Sequence, residues 1–434
     1  MAAAGEASHE AERSPRGLIR ARLGTDVLTA VPRGLALLSG VTGIVLAGCQ
    51  APVQAPDALV STVRDSAGVR IVENEAPAPA SRLPWVIGSG PSVSVGALDG
   101  DAPYQLFGVE DAMRLADGRI LIANSGTSEV RVFDEAGVFI ESWGREGEGP
   151  GEFVSLTDLM VWPGDSVMAW DFGQYRLTLF DQAGGLGRTF SPLLGPDLEP
   201  GSAVGVLPDG TILTAGRVPW AGQEPITGLV RRSREYALVD PSGESRLDLG
   251  LHPDEEYFIK GERLAIMRHP FRRLNHTEVW GARAIIAPSD RYEIRGYGGD
   301  GALEVLVRRA HTLLNVTQAD LDAHLAGRVA ESDPSEQSAL RQLFDGFPLV
   351  ESFPAFSQVL VDTTGDLWVK EYARPGDDRS VWTVFDGEGR VRGLVETPPG
   401  LLLYEIGPDY LLGRATGELD VERVELWSLA RSEG

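Results

Sequence analysis

An all-β architecture of six repeated sheets closed into a ring, with one small helical insertion, is what the sequence predicts. Three observations lead there. First, a stretch repeats with an offset of 47 residues: Ala123-Asn124-Ser125-Gly126 through Val132-Phe133-Asp134 and Gly137 align with Trp170-Asp171-Phe172-Gly173 through Leu179-Phe180-Asp181 and Gly184. Second, the closing phrase of that stretch, an apolar residue followed by Asp-x-x-Gly, recurs at Val239-Asp240…Gly243 and Phe385-Asp386…Gly389, with a degenerate copy at Tyr297…Gly301. Third, a Gly turn leading into a β run precedes each copy, which gives six units. Short strands separated by Asp-Gly turns at a period of about 40–50 residues are the pattern of a six-bladed β-propeller.

The six turn-and-strand phrases run in order along the chain. They are Asp117-Gly118 into Ile120-Leu121-Ile122, Pro163-Gly164 into Val167-Met168, Pro208-Asp209-Gly210 into Ile212-Leu213, and Thr364-Gly365 into Leu367-Trp368-Val369. Residues 285–292 and 406–411 are looser versions. The Asp and Gly residues read as turn formers. A four-stranded blade cannot cover its own two faces, whereas stacking blades around an axis does, and closing the ring removes exposed edges. Trp162, Trp170, Trp368 and Trp382 fall on alternating strand positions and are assigned to inter-blade packing.

Gly144-Arg145-Glu146-Gly147-Glu148-Gly149-Pro150-Gly151-Glu152-Phe153, followed by Trp170-Asp171…Arg176 and Phe180-Asp181, resembles the inter-blade loop and blade of NHL-type repeats. From Val69 to Leu429 the chain resembles bacterial six-bladed propellers of the NHL-like and TolB-like kind, many of them lipoproteins without assigned activity. Blade four departs most from that pattern. Ring closure requires the first and last segments to share a blade, so the C-terminal run Val421-Arg423-Glu425-Trp427 should pair with a strand within 69–95. Residues 317–345 break the β pattern. Thr317-Gln318-Ala319-Asp320 and Asp333-Pro334-Ser335-Glu336 are N-cap signals, and Leu321, Leu325, Val329, then Leu340, Leu343, Phe344, have helical spacing. A helical pair riding on blades four and five is expected there.

The first sixty residues carry an address. The apolar run 35–48 follows arginines at 13, 16, 20, 22 and 33 and is too short to span a membrane, as a secretory signal is. It ends in Leu46-Ala47-Gly48-Cys49, which resembles the lipobox of bacterial lipoproteins, where the Cys is lipidated and becomes the mature N-terminus. The expected organisation is a leader and signal peptide over 1–48 and lipidated Cys49 with a Pro/Ala-rich tether over 49–60. The propeller then occupies 61–432. That implies attachment to the cell envelope by the N-terminal lipid, and Gln50 after the Cys points to the outer membrane. Removing residues 1–48 takes away five Arg and four acids, leaving the mature chain at −25 against −24 for the whole.

Such acidity excludes nucleic acid as a partner, because phosphates need a basic surface. The single Cys excludes an internal disulfide framework and a Cys-based zinc site. No Walker loop, Gly-x-Ser-x-Gly elbow or His-Glu-x-x-His pair is present, and the glycine run 144–151 reads as a blade linker. Beyond His9, the histidines 252, 269, 276, 311 and 324 are far apart in sequence. Propellers nonetheless assemble ligands at the axis from separate blades, with acidic and Asn ligands in lactonase-type members and histidines in NHL-type lyases. Acidic clusters such as Asp254-Glu255-Glu256 and Asp377-Asp378 read as loop surfaces.

The strongest local anomaly is 260–276, where Lys260, Arg263, Arg268, Arg272 and Arg273, with His269 and His276, face only Glu262 within the span. Two readings stand: pairing with acids of neighbouring blades, or an anion site at the channel mouth using Arg forks, with Arg268, His269, Arg272, Arg273 and His276 as its residues. The expected function is a lipid-anchored propeller that binds a protein or small anionic ligand and requires no cofactor. The alternative is a metal-dependent hydrolase or lyase of lactonase type, with a divalent cation on the axis.

Overall fold

The N-terminal segment has a split destination. Strands β1 (Ser61–Ser66) and β2 (Val69–Asn74) form a hairpin, and β3 (Val86–Ile87) and β4 (Val93–Val95) follow. The computed structural model describes residues 59–192, 199–219, 228–260, 265–344 and 346–432, so Cys49, the leader and most of the tether lie outside the described residues. Contacts separate residues 1–53 from a single unit over 54–434, and the architecture below is that of the second unit.

Among the described residues there are six sheets. Blade one is β5 (Val109–Arg114), β6 (Ile120–Asn124), β7 (Glu129–Phe133) and β8 (Phe139–Trp143), and blade two is β9 (Leu156–Trp162), β10 (Ser166–Asp171), β11 (Arg176–Phe180) and β12 (Leu186–Phe190). Blade three is β13 (Glu199–Val206), β14 (Ile212–Arg217), β15 (Gly228–Val239), β16 (Arg246–Lys260) and the short return strand β17 (Ala265–Arg268). Blade four is β18 (Asn275–Trp280), β19 (Arg283–Pro288), β20 (Glu293–Tyr297) and β21 (Leu303–Arg309); α1 (Gln318–Glu331) and α2 (Gln337–Phe344) follow it. Blade five is β22 (Phe356–Val361), β23 (Leu367–Glu371), β24 (Ser380–Phe385) and β25 (Val391–Thr397), and blade six is β26 (Leu402–Ile406), β27 (Tyr410–Thr416) and β28 (Glu422–Ala430). The first strands of the blades touch in the cycle β5, β9, β13, β18, β22, β26 and back to β5. The chain is therefore a closed six-bladed β-propeller.

The sequence phrases have direct structural causes. Asp134, Asp181, Asp240 and Asp386 each turn a carboxylate back onto the N–H groups of their own hairpin; Asp134 Oδ1 accepts from Ala136 (2.9 Å) and Val138 (2.8 Å). The glycine three residues on sits at φ +80° to +84°, a region that other residues enter only at a cost. The other half of the repeat ties blades together. Buried Asp171 accepts N–H groups of Val154 and Ser155 on the incoming blade connection and of Gly173 and Gln174 on its own loop. Asn124 does the same for Phe107.

Stability lies between blades. Each of the six interfaces has its own cluster of buried apolar residues. Trp170, Trp368 and Trp382 are wholly buried in two of them, each costing on the order of 3–5 kcal/mol if truncated to Ala. A seventh cluster joins β16 and β17 to the helical insertion through Phe258, Phe271, Leu321, Phe347 and Phe353. In α1 both halves of the Thr317–Asp320 capping box are made. The second helix begins at Gln337, later than the sequence suggests, because Asp333 first caps a turn through Ser335.

Closure is made by β28, whose Val424, Glu425 and Leu426 pair with Val95, Ser94 and Val93 of β4, and whose Leu429 pairs with Ile87 of β3. Residues 69–74 go elsewhere. Strand β2 adds in parallel to β21 of blade four, Arg70 opposite Val305, and Asn74 reaches into blade five through the carbonyl of Gly389 and the N–H of Val391. Residues 285–292 also differ from their sequence reading: the turn of blade four is at Gly281, so these residues form β19 and the loop after it. The acids 254–256 are on β16, not on a loop, and Asp254 and Glu255 are buried.

Candidate functional site: the axial chamber

Each innermost strand of a propeller leaves one backbone edge facing the axis, and those polar groups need partners. Side chains supply several of them here. Asp111 on β5 accepts the N–H of Leu159 on β9 (2.8 Å), and Glu405 on β26 accepts that of Arg114 on β5 (2.9 Å). Gln358 on β22 donates to the Leu403 carbonyl (2.9 Å), and the Tyr404 hydroxyl donates to that of Val109 (3.0 Å). These bonds stitch neighbouring blades around a chamber of ≈ 510 Å³, walled by all six innermost strands.

Five carboxyl groups line the chamber: Glu110, Asp111, Asp158, Glu278 and Glu405. Burial raises four of them. Asp111 lies well above the usual carboxylate range, through burial and then the charge of Asp158. Asp158 is raised to about 6 by burial, partly offset by the Thr157 hydroxyl that it accepts (2.6 Å), with the charge of Glu110 adding to the rise. Glu278 is pushed up to about 8 by burial, and among the described residues its one hydrogen bond is from the adjacent Val279 N–H (3.3 Å). Glu405 is raised by burial although Tyr410 donates to it. Asp111 and Glu405 are therefore committed to stitching, whereas among the described residues Asp158 and Glu278 make no cross-blade hydrogen bond. Among the described residues no group of three or more His, Asp or Glu stands close enough together to cage a metal ion.

The arginine-rich junction sits between blades three and four. Arg268 ends β17, Arg272 and Arg273 are on the connection, and His276 is on β18. The acids of β16 and blade four answer the charges: Arg272 pairs with Glu255 (2.5 Å), Arg268 with Glu255 (3.4 Å), and Arg273 with Glu256 (3.8 Å) and Asp290 (3.6 Å). Asp290 is also gripped by Arg231, and the two arginines outweigh its burial and hold it below the usual range. His269 is buried under the insertion, its Nε2 3.0 Å from the Pro348 carbonyl and its Nδ1 accepting the Phe271 N–H. His276 is lowered to about 4 by burial and packs on Phe356, its Nε2 making no hydrogen bond to protein. Arg263 lies outside the described residues, and the Lys260 side chain is not described.

The structure thus gives Arg268, His269, Arg272 and Arg273 partners within the protein, while His276 is on β18 against Phe356. The chamber has no local mark in the sequence because its five carboxyls come from four different blades. One signal was there: Asp111 and Asp158, like Met113 and Met160, repeat at the same offset of 47 as the turn phrases.

A family model described as a 6-bladed beta-propeller, DUF5128, matches residues 105–187, that is, blade one and blade two as far as the start of β12. No curated protein matches. Among solved structures, the chain is similar to a protein described as exported from Bacteroides fragilis (13% identity, TM-score 0.47, 84% of this chain and 100% of that one). It is similar too to a member of the DUF4221 family from Bacteroides vulgatus (8% identity, TM-score 0.49, 80% and 99%). A gluconolactonase from Xanthomonas campestris is similar at 13% identity and TM-score 0.40 over 81% and 92% of the two chains.

Proposed function

We propose that this six-bladed propeller is a binding module whose ligand enters the axial chamber and carries a cationic group. One observation supports this most: Asp158 and Glu278 bring half-buried carboxyls to a chamber of ≈ 510 Å³ without serving the strand edges among the described residues. A chamber of that size suits a small organic ligand, and an amine would receive charge-assisted hydrogen bonds from the two groups. Because Asp158 lies near 6 and Glu278 near 8, binding of a cation between those values displaces protons. Affinity for an amine therefore rises with pH across that window. The probe is a panel of diamines and aminosugars tested by calorimetry in buffers of differing ionisation enthalpy. Expected are saturable binding with proton release and a loss of about tenfold or more in Asp158→Asn. Binding that is indifferent to pH and to that substitution would remove the reading.

The same module is proposed to be held at the cell envelope through Cys49. Its support is the arginine-flanked apolar run ending in Leu46-Ala47-Gly48-Cys49, with no second Cys in the chain. Cys49→Ala should shift the protein from the membrane to the soluble fraction of a bacterial host; unchanged partition would refute the anchor.

A further inference from the structure

The six innermost strands each open an antiparallel blade and follow one another round the ring, so they run in the same sense along the axis. Order along each strand is therefore also order in depth. On β5, Glu110 and Asp111 come before Met113; on β9, Asp158 comes before Met160 and Val161; on β22, Gln358 comes before Leu360. Val206 and Val279 lie at the same late end of β13 and β18, with Glu278 in mid-strand across the ring from blade one. The chamber is polar where its strands begin and apolar where they finish. Glu405 is the exception near the late end, and the Arg114 N–H and the Tyr410 hydroxyl already occupy it.

The apolar end is not closed. Met113 and Val161 line both the chamber and a cleft of ≈ 390 Å³ between blades one and two, so the two spaces are continuous. Alternation along β5 turns Met113 and Leu115 toward blade two, where they pack in one cluster with Leu159. Val161, two residues beyond Leu159 and 63% exposed, faces them from β9. The charged groups of the cleft are engaged or at its rim. Asp117 is bound by Arg119 (2.8 Å), which also donates to the Gln182 carbonyl, and Asp165 is exposed. The Arg114 guanidinium is turned to blade six, over the Tyr410 ring at 4.8 Å from its centroid.

Resting on the reading of the chamber as a cation site, we propose that its ligand is a primary amine with an unbranched apolar chain. The ammonium lies between Asp158 and Glu278, and the chain passes Met113 and Val161 into the cleft. Asp158 and Val161 are three residues apart, roughly 10 Å along the strand, so the length of the chain decides whether the cleft is reached. A second ammonium at the far end of the ligand would be stripped of water among apolar side chains, whereas methylenes gain by the same burial.

The test is calorimetry at pH 8 with butylamine, hexylamine, octylamine and hexamethylenediamine. Affinity is expected to rise by about fourfold for each methylene that enters the apolar walls, and hexylamine should bind at least about tenfold more tightly than hexamethylenediamine. Val161→Glu, at an exposed strand position, should flatten the chain-length series and reverse that preference by giving the second ammonium a partner. Asp158→Asn should weaken every amine by a similar factor and leave the chain-length slope in place. Equal affinity along the series, or for hexylamine and the diamine, with proton release intact would overturn the apolar-chain proposal and leave the cation site standing. Unchanged selectivity in Val161→Glu would overturn the route through the cleft. Absence of binding by any of the four amines would overturn both readings.

Discussion

The junction between blades three and four and the axial chamber are both rich in ionisable groups, yet only the first is internally answered. At the junction, antiparallel register sets β16 beside β17, Tyr257 opposite Arg268, so that Glu255 and Glu256 reach the arginines of the following connection. In the chamber, carboxyls converge from different blades with no arginine among its lining residues. Burial is then the largest influence on the protonation of Asp111, Asp158, Glu278 and Glu405. A run of like charge in sequence therefore says little about local potential; strand register decides which charges meet.

The largest expected effect tests the junction. Glu255→Ala strands Arg272 and removes the acceptor of the Tyr257 hydroxyl (2.8 Å), and stability should fall by about 2–3 kcal/mol in urea unfolding. Arg268→Ala is the control, because its pair is long and its side chain 68% exposed, and it should change stability by less than ~0.5 kcal/mol. If Glu255→Ala unfolds at the wild-type midpoint, the junction arginines are not held by these acids and the contrast with the chamber fails.

A smaller, pH-dependent effect tests the chamber. Glu278 has a folded value near 8, above its ordinary value, so the folded state holds its proton more tightly than the unfolded chain. Its contribution to stability is intact at acid pH and is lost as pH rises from the ordinary carboxylate range to about 8. Glu278→Gln, which stays neutral, should match the wild type at pH 4 and melt higher than it at pH 8.5. Parallel melting curves at both pH values would mean that Glu278 is solvated and that the chamber resembles the surface.

Legibility in the sequence follows the range of the interaction. The Asp134, Asp181, Asp240 and Asp386 hairpins were readable because the carboxylate, the N–H groups it accepts and the glycine with positive φ lie within five residues. The capping box at Thr317 was readable for the same reason. The parallel pairing of β2 with β21 left no such mark, since its partners are remote in the chain and an alternating strand accepts any edge. Burial of Asp254 and Glu255 was hidden because three successive acids on a strand look like a solvated loop until their cations are located.

The N-terminal segment bears on the order in which the molecule is made. Its residues are the first of the ring to leave the ribosome, yet β2 waits for β21, Leu83 for Leu394, and β4 for β28. Blades one and two contain only neighbouring pairings and can form early, whereas the outer strand of blade six, β4, has no partner until β28 is made. The ring is thus sealed only when both of its closing segments are present, so a chain made only as far as blade five keeps open strand edges.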